Sequence, residues 1–176
     1  MPRWGRWLIP GATVPSITAV STTALRRRGI TALIVDLDNT LTRWNEVNCP
    51  PEVRSWFREL TAAGIRCCIA SNNGPARVRA FLQDLGLEMP WVARAGKPWP
   101  RAYRACLQRL GNPPRASTAA VGDQVFTDVL GGNMAGLFTI LVRPLARREF
   151  AATRVLRAVE AVWLRRLEGR GALRAL

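Results

Sequence analysis

The chain contains no histidine. That absence removes Ser-His-Asp hydrolysis, phosphoryl transfer through histidine and His-ligated zinc. Cysteine is sparse: Cys49, Cys67, Cys68 and Cys106 are the only four, and no pair forms a CxxC. Cys67 and Cys68 are adjacent in an apolar run, so on an extended chain they face opposite sides. They read as small hydrophobes in a reduced cytosol, not as a disulfide frame or a zinc site. No apolar run approaches the roughly 20 residues that span a bilayer. Acidic residues number 12 against 26 lysines and arginines, for a net charge of +14. The excess cations favour anionic partners without choosing among nucleic acid, phospholipid headgroups and phosphorylated substrates. An arginine-rich composition also follows from a GC-rich genome alone. Any catalysis must therefore use carboxylates, lysine, hydroxyls or a hard metal ion.

What is present suits one folded domain: 176 residues, 48% of them hydrophobic, enough to bury a core. Arg3 and Arg6 precede Trp7-Leu8-Ile9 in the order of an export signal. Pro10 and Pro15 interrupt the apolar part and no small-x-small site follows, so export is disfavoured. Residues 1–29 are expected to form an N-terminal arm, either packed on the domain or, through Trp4 and Trp7 beside arginines, lying at a membrane interface.

From Ala32 onward, short apolar runs alternate with amphipathic stretches. Ala32 to Val35, Ile65 to Ala70, Trp91 to Arg94, Thr118 to Val121 and Phe138 to Val142 read as buried strands. Between them lie a helix opened by Pro50-Pro51 with an apolar stripe of Val53, Trp56, Phe57 and Leu60, and a helix with Val78, Phe81, Leu82 and Leu85. A third runs through Ala102, Cys106 and Leu110, and a short helix or turn covers Thr127 to Met134. The pattern predicts an α/β fold: a single-domain, doubly wound parallel sheet with helices on both faces. The core spans residues 30–145, a basic amphipathic helix spans 146–168 and a tail spans 169–176.

Chemistry gathers at the predicted strand ends, which in a parallel sheet lie along one edge. The first strand runs into Asp36-Leu37-Asp38. Two acids at the end of a buried strand are unfavourable unless compensated, and a cation is the usual compensation. Their spacing gives them one side-chain parity on an extended chain. Ser71-Asn72 ends the second strand, Lys97 follows the third closely, and Gly122-Asp123 ends the fourth with Asp128 one turn later. Such a set supplies carboxylates for Mg²⁺, a lysine, a hydroxyl and helix N-termini for a phosphoryl group. It fits phosphoryl transfer through an aspartyl-phosphate.

Asp36-Leu37-Asp38-Asn39-Thr40, Ser71-Asn72, Lys97-Pro98 and Gly122-Asp123-Gln124-Val125-Phe126-Thr127-Asp128 resemble, in order and spacing, the four motifs of haloacid dehalogenase (HAD) superfamily phosphatases. With Gly131-Gly132-Asn133, the pattern is similar to the YqeG-type group of subfamily IIIA, across about residues 5–165. That group resembles the mitochondrial phosphatidylglycerophosphatase. The resemblance implies a Rossmann-like fold and Mg²⁺ as cofactor. By motif, Asp36 would be the nucleophile. Asp38 would be the general acid and base, its backbone carbonyl ligating the metal. Asp36 and Asp123 would be side-chain ligands, with Asp128 a direct or indirect partner. Ser71, Asn72 and Lys97 would hold the phosphate, and Thr40 would orient Asp38 or close the loop.

Neither Asp38 to Ser71 nor Asn72 to Lys97 leaves room for an inserted cap domain. An open site suits a phosphate on something large. In the last helix, Phe150, Leu156, Val159, Trp163 and Leu167 share one face, while Arg147, Arg148, Arg154, Arg157, Arg165 and Arg166 occupy much of the rest. That helix would either lie on an anionic bilayer or pack on the sheet with a solvated basic face. The expected substrate is phosphatidylglycerophosphate, met at the cytoplasmic face of a membrane. Alternatives are a soluble sugar phosphate, nucleotide or phosphoprotein, or an RNA-binding module on a retired fold. The intact acids and the lack of an aromatic single-strand platform disfavour nucleic acid.

Overall fold

The computed structural model describes residues 3–146, 160, 162–169 and 173–176. In chain order the strands are β1 (Ala12–Val14), β2 (Ala32–Val35), β3 (Arg66–Ala70), β4 (Trp91–Val92), β5 (Thr118–Gly122) and β6 (Phe138–Val142). The helices are α1 (Thr22–Arg27), α2 (Pro51–Ala62), α3 (Pro75–Leu85), α4 (Pro100–Arg109) and α5 (Leu130–Met134).

β2 is buried along its whole length, as a continuous apolar run in the middle of a parallel sheet must be. Its alternating side chains feed two cores. Leu33 and Val35 pack with Leu25 of α1, Phe57 and Leu60 of α2 and Phe81 of α3. Ala32 and Ile34 pack on the other side with Ala102, Tyr103 and Cys106 of α4. Helices therefore cover both faces of the sheet.

The strands lie in the order β1-β6-β5-β2-β3-β4, and every neighbouring pair is parallel. The chain leaves β2 toward β3 and β4, then crosses back to β5 on the other side. The switch in direction falls between β2 and β5, where doubly wound sheets bind ligands beyond their carboxyl ends.

Three expectations are revised. The N-terminal segment contributes a sixth strand, β1, on the edge beside β6. The tail follows it there, with Thr13 bridging Ala175 and donating its amide to the Arg174 carbonyl. The third predicted strand, Trp91 to Arg94, pairs only over Trp91–Val92, because Arg94 turns into the left-handed region at φ 47. The turn expected over Thr127 to Met134 starts earlier, as one π-helical turn over Val125–Val129 leading into α5.

The last helix is described only at residue 160 and over 162–168. There Leu167 is buried, Trp163 donates its indole N–H to the Leu8 carbonyl at 3.2 Å, and Arg165 and Arg166 are exposed. This part packs inward with a solvated basic face. Phe150, Leu156, Val159, Arg147, Arg148, Arg154 and Arg157 lie outside the described residues. Among the described residues, no helix is long and apolar enough to cross a membrane. The four cysteines are unbridged. Burial pushes the Cys49 thiol up to about 11 and Cys67 to about 12, which keeps them protonated.

The N-terminal segment is fastened to the core at Trp56, whose indole N–H donates to the buried Val20 carbonyl at 2.8 Å. Trp56→Phe keeps most of the apolar volume but leaves that carbonyl unsatisfied, an expected loss of about 1–3 kcal/mol. Trp56→Ala adds a cavity and should lose roughly 3–5 kcal/mol. Urea unfolding of the two variants measures the difference.

Candidate active site

Asp36 continues the parity of Ile34, and its amide N–H still bonds Val121 across the sheet at 2.9 Å. The backbone then leaves the strand. Asn39 sits at φ 61 and the Leu41 amide bonds back to Leu37. The tight loop folds Thr40 over Asp36. The Thr40 hydroxyl lies 3.2 Å from Asp36 Oδ2 and 3.4 Å from Asp123 Oδ1. Of the two roles expected for Thr40, orienting Asp38 is corrected, since its carboxylate partners are Asp36 and Asp123; its place in the tight loop is kept.

Asp36 and Asp38 nevertheless take different partners. Asp38 turns toward the end of β3 and the start of α3. Its carboxylate accepts from Ser71 Oγ at 3.3 Å, Asn73 Nδ2 at 2.8 Å and Arg77 Nε at 3.1 Å. Even so, Asp36 and Asp38 line the same pocket, of about 190 Å³, with Asn72, Asn73, Lys97, Gln124, Thr127 and Asp128.

Asp36, Asp123 and Asp128 are buried, and among the described residues one oxygen of each lies within 4.8 Å of the others. Gly122 makes the approach of Asp128 possible: a Cβ there would stand 2.2 Å from the Asp128 carboxyl carbon. Asp128 is further held by the Gln124 amide, 3.1 Å from its Oδ2.

The acids are partly balanced by Lys97, the chain's only lysine. Its ammonium donates to Asp36 Oδ1 at 2.5 Å and Asp128 Oδ1 at 2.7 Å. Burial alone would lower the lysine, but Asp128 and Asp36 more than offset it and hold it well above its ordinary value. Burial raises the Asp36 carboxyl from 3.8 to about 7 against the pull of Lys97. One ammonium is therefore not enough for three buried carboxylates. An all-oxygen donor set with charge to spare fits a hard divalent cation such as Mg²⁺.

Ser71 and Asn72 reach the site differently. Ser71 Oγ accepts from the Asn73 amide at 3.0 Å while contacting Asp38. The Asn72 side chain is tied reciprocally to the Lys97 backbone, accepting from its amide at 2.8 Å and donating to its carbonyl at 3.2 Å. That pairing fixes the lysine loop to the end of β3. All eight residues singled out in the sequence converge on this edge of the sheet.

Other residues escaped the sequence reading. Arg77 bonds Asp38, donates from Nη2 to the Arg43 carbonyl at 2.9 Å, and buries Nη1 with no hydrogen-bond partner among the described residues. A cation in the first turn of a helix opposes the macrodipole, and that misplacement was the available signal. Tyr103 is buried beneath the site and donates to the backbone carbonyls of Thr127 and Asp128. Buried Glu160, from the last helix, accepts from the Phe126 amide at 3.0 Å and so braces the turn that carries Asp128.

A profile describing haloacid dehalogenase-like hydrolases matches residues 24–136. The probable phosphatase YqeG of Bacillus subtilis is 36% identical over 166 residues, covering 94% of this chain and 95% of that protein. A phosphatidylglycerophosphate phosphatase 1 of Arabidopsis thaliana is 25% identical over 92% of this chain, which spans only 49% of that longer protein. A crystal structure of an uncharacterized protein from Listeria monocytogenes superposes with a TM-score of 0.55 at 17% identity, over 77% of this chain and 97% of that one. It shows the shared fold.

Lys97→Arg keeps the charge but replaces a compact ammonium with a planar fork that cannot sit between two carboxylates this close. Hydrolysis of an aryl phosphate should fall roughly 100-fold. The raised Asp36 carboxyl has a separate signature. Between its unfolded value of 3.8 and its folded value of about 7, the metal-free folded protein holds a proton that the unfolded chain has released. Stability should therefore fall as pH rises through that window, where no histidine titrates. Thermal melts in EDTA should show the slope in the parent, with Asp36→Asn flattening it. An equal slope in the variant would assign it to another group.

Proposed function

The chain belongs to the haloacid dehalogenase-like hydrolases, and on that premise we propose that it is a Mg²⁺-dependent phosphomonoesterase acting on phosphatidylglycerophosphate. The observation that carries the reading is the meeting of Asp36, Lys97, Asp123 and Asp128 at the switch point of the sheet, with Asp38 facing the same pocket.

In this reading the Asp36 carboxylate attacks phosphorus in line, and the leaving alkoxide takes a proton from Asp38. Asp38 then takes a proton from water, which attacks the aspartyl-phosphate and releases inorganic phosphate. Lys97 stays charged beside Asp36 and counters the negative charge of the phosphoryl oxygens. Ser71 and the Asn72 backbone hold those oxygens, and Asn72 also keeps the lysine loop in place. Thr40 steadies Asp36 and Asp123. Asp36, Asp123 and Asp128, with the backbone carbonyl of Asp38, would hold Mg²⁺, which supplies charge neutralisation at the phosphate.

The lipid substrate is supported by two observations. Relatives from Arabidopsis thaliana and Chlamydomonas reinhardtii bear the name phosphatidylglycerophosphate phosphatase. The intervals that hold caps in other enzymes of this kind hold here only the loop 39–50 before α2, and α3 with β4 before Lys97. A site without a cap admits a phosphate carried on a bulky body. The setting would be the cytoplasmic face of a membrane.

Phosphate release from phosphatidylglycerophosphate in mixed micelles, beside a panel of soluble phosphates, tests the reading. Turnover is expected with Mg²⁺, none with EDTA, and none from Asp36→Asn. Hydrolysis of the soluble esters alone would remove the lipid substrate and keep the chemistry.

A further inference from the structure

Among the described residues, six large apolar side chains are exposed: Trp7, Trp44, Val47, Trp99, Leu145 and Val162. Single exposed hydrophobes are ordinary on a protein surface. Their distribution here is not even. Trp44 and Val47 lie on the loop after β2, Trp99 on the loop after β4 and Leu145 on the segment after β6. All four are thus on connections that leave the carboxyl edge of a parallel sheet, the edge that holds the catalytic acids. They are 37%, 49%, 60% and 42% exposed, respectively.

These loops are also joined to the site. Asn39 accepts the Trp44 amide on its side chain at 3.3 Å and the Leu145 amide on its backbone carbonyl at 3.0 Å. Trp99 is two residues from Lys97 and caps α4, its amide bonded to the Gly96 carbonyl. Exposed arginines share the same connections: Arg43 after β2, Arg94 after β4, Arg101 at the start of α4 and Arg143 after β6. Glu46 is the exposed acid of the β2 loop, and it is paired with Arg43. Tryptophan and aliphatic side chains on connections that also carry exposed arginines match the chemistry of an anionic bilayer surface. The apolar groups enter the headgroup boundary and the guanidinium groups meet lipid phosphates.

We infer that the rim around the catalytic pocket, the connections that carry Trp44, Val47, Trp99 and Leu145 with their arginines, is a docking surface for an anionic lipid bilayer. The protein then sits with its open pocket against the membrane and draws a headgroup phosphate toward Asp36 without removing the lipid from the bilayer. The placement rests on the lipid-phosphate reading above for its purpose, but the contact itself is measured without turnover.

The test is co-sedimentation of the full chain with vesicles of phosphatidylcholine, with and without phosphatidylglycerol. The parent should bind the anionic vesicles and be released by salt. Trp99→Ser with Leu145→Ser should weaken that binding on the order of tenfold or more. Trp7→Ser, which alters a tryptophan ahead of β1, should bind as the parent does. Circular dichroism melts establish that the exposed substitutions leave the fold intact. Equal loss in the Trp7 variant, no loss in the rim variant, or binding of single-stranded RNA through the rim with none to vesicles would overturn the inference. The two readings separate cleanly. Rim-dependent vesicle binding without hydrolysis of phosphatidylglycerophosphate sinks only the substrate assignment. Hydrolysis with vesicle binding indifferent to the rim sinks only the docking surface.

Discussion

The burial of three carboxylates around one ammonium is the constraint on which the rest of the molecule depends. Each acid taken out of water destabilises the fold unless a cation or a donor meets it. The fold gathers the acids and their cation from four directions. β2 brings Asp36, β5 brings Asp123, the π-helical turn brings Asp128, and the loop after β4 brings Lys97. None of these elements is close in sequence to all the others, so the arrangement exists only when the sheet is assembled. The strand order puts β2 and β5 side by side, which is why the site lies at the place where the chain changes direction across the sheet.

The supports around the acids follow from the same requirement. Gly122 leaves room for a carboxylate that any side chain would displace. Asn72 ties two loops by a reciprocal pair of hydrogen bonds, and Tyr103 and Glu160 occupy backbone groups of the turn beneath. The N-terminal segment and the last helix are fastened to this framework through Asn133, which donates to the Trp7 and Ile9 carbonyls, and through Trp163. Elements that looked peripheral in the sequence therefore brace the edge that carries the acids.

Much of this was legible because it is local. The apolar run 32–35, the helix opened by Pro50-Pro51 and the acids at the strand ends each carry their meaning within a few residues. What was not legible depends on partners far along the chain. β1 is three residues long between Pro10 and Pro15 and becomes a strand only by pairing with β6, more than a hundred residues later. Parity put Asp36 and Asp38 in one pocket, but it could not show that Asp38 would bond groups at the end of β3 and the start of α3. The motif resemblance offered Thr40 as a residue that orients Asp38 or closes the loop, and the folded loop turns its hydroxyl to Asp36 and Asp123. Arg77 could not be tied to Asp38 until α3 was seen to begin beside it.

A chain that meets nearly every need for positive charge with arginine keeps a single lysine, and places it where it is almost fully shielded from solvent. Chemically, the whole protein then presents one ε-amine. A reagent selective for that group has one side-chain target, and the target is masked while Asp36 and Asp128 hold it. The rate at which such a reagent acts on the intact protein becomes a clock for the opening of the site, read from one residue without any introduced label.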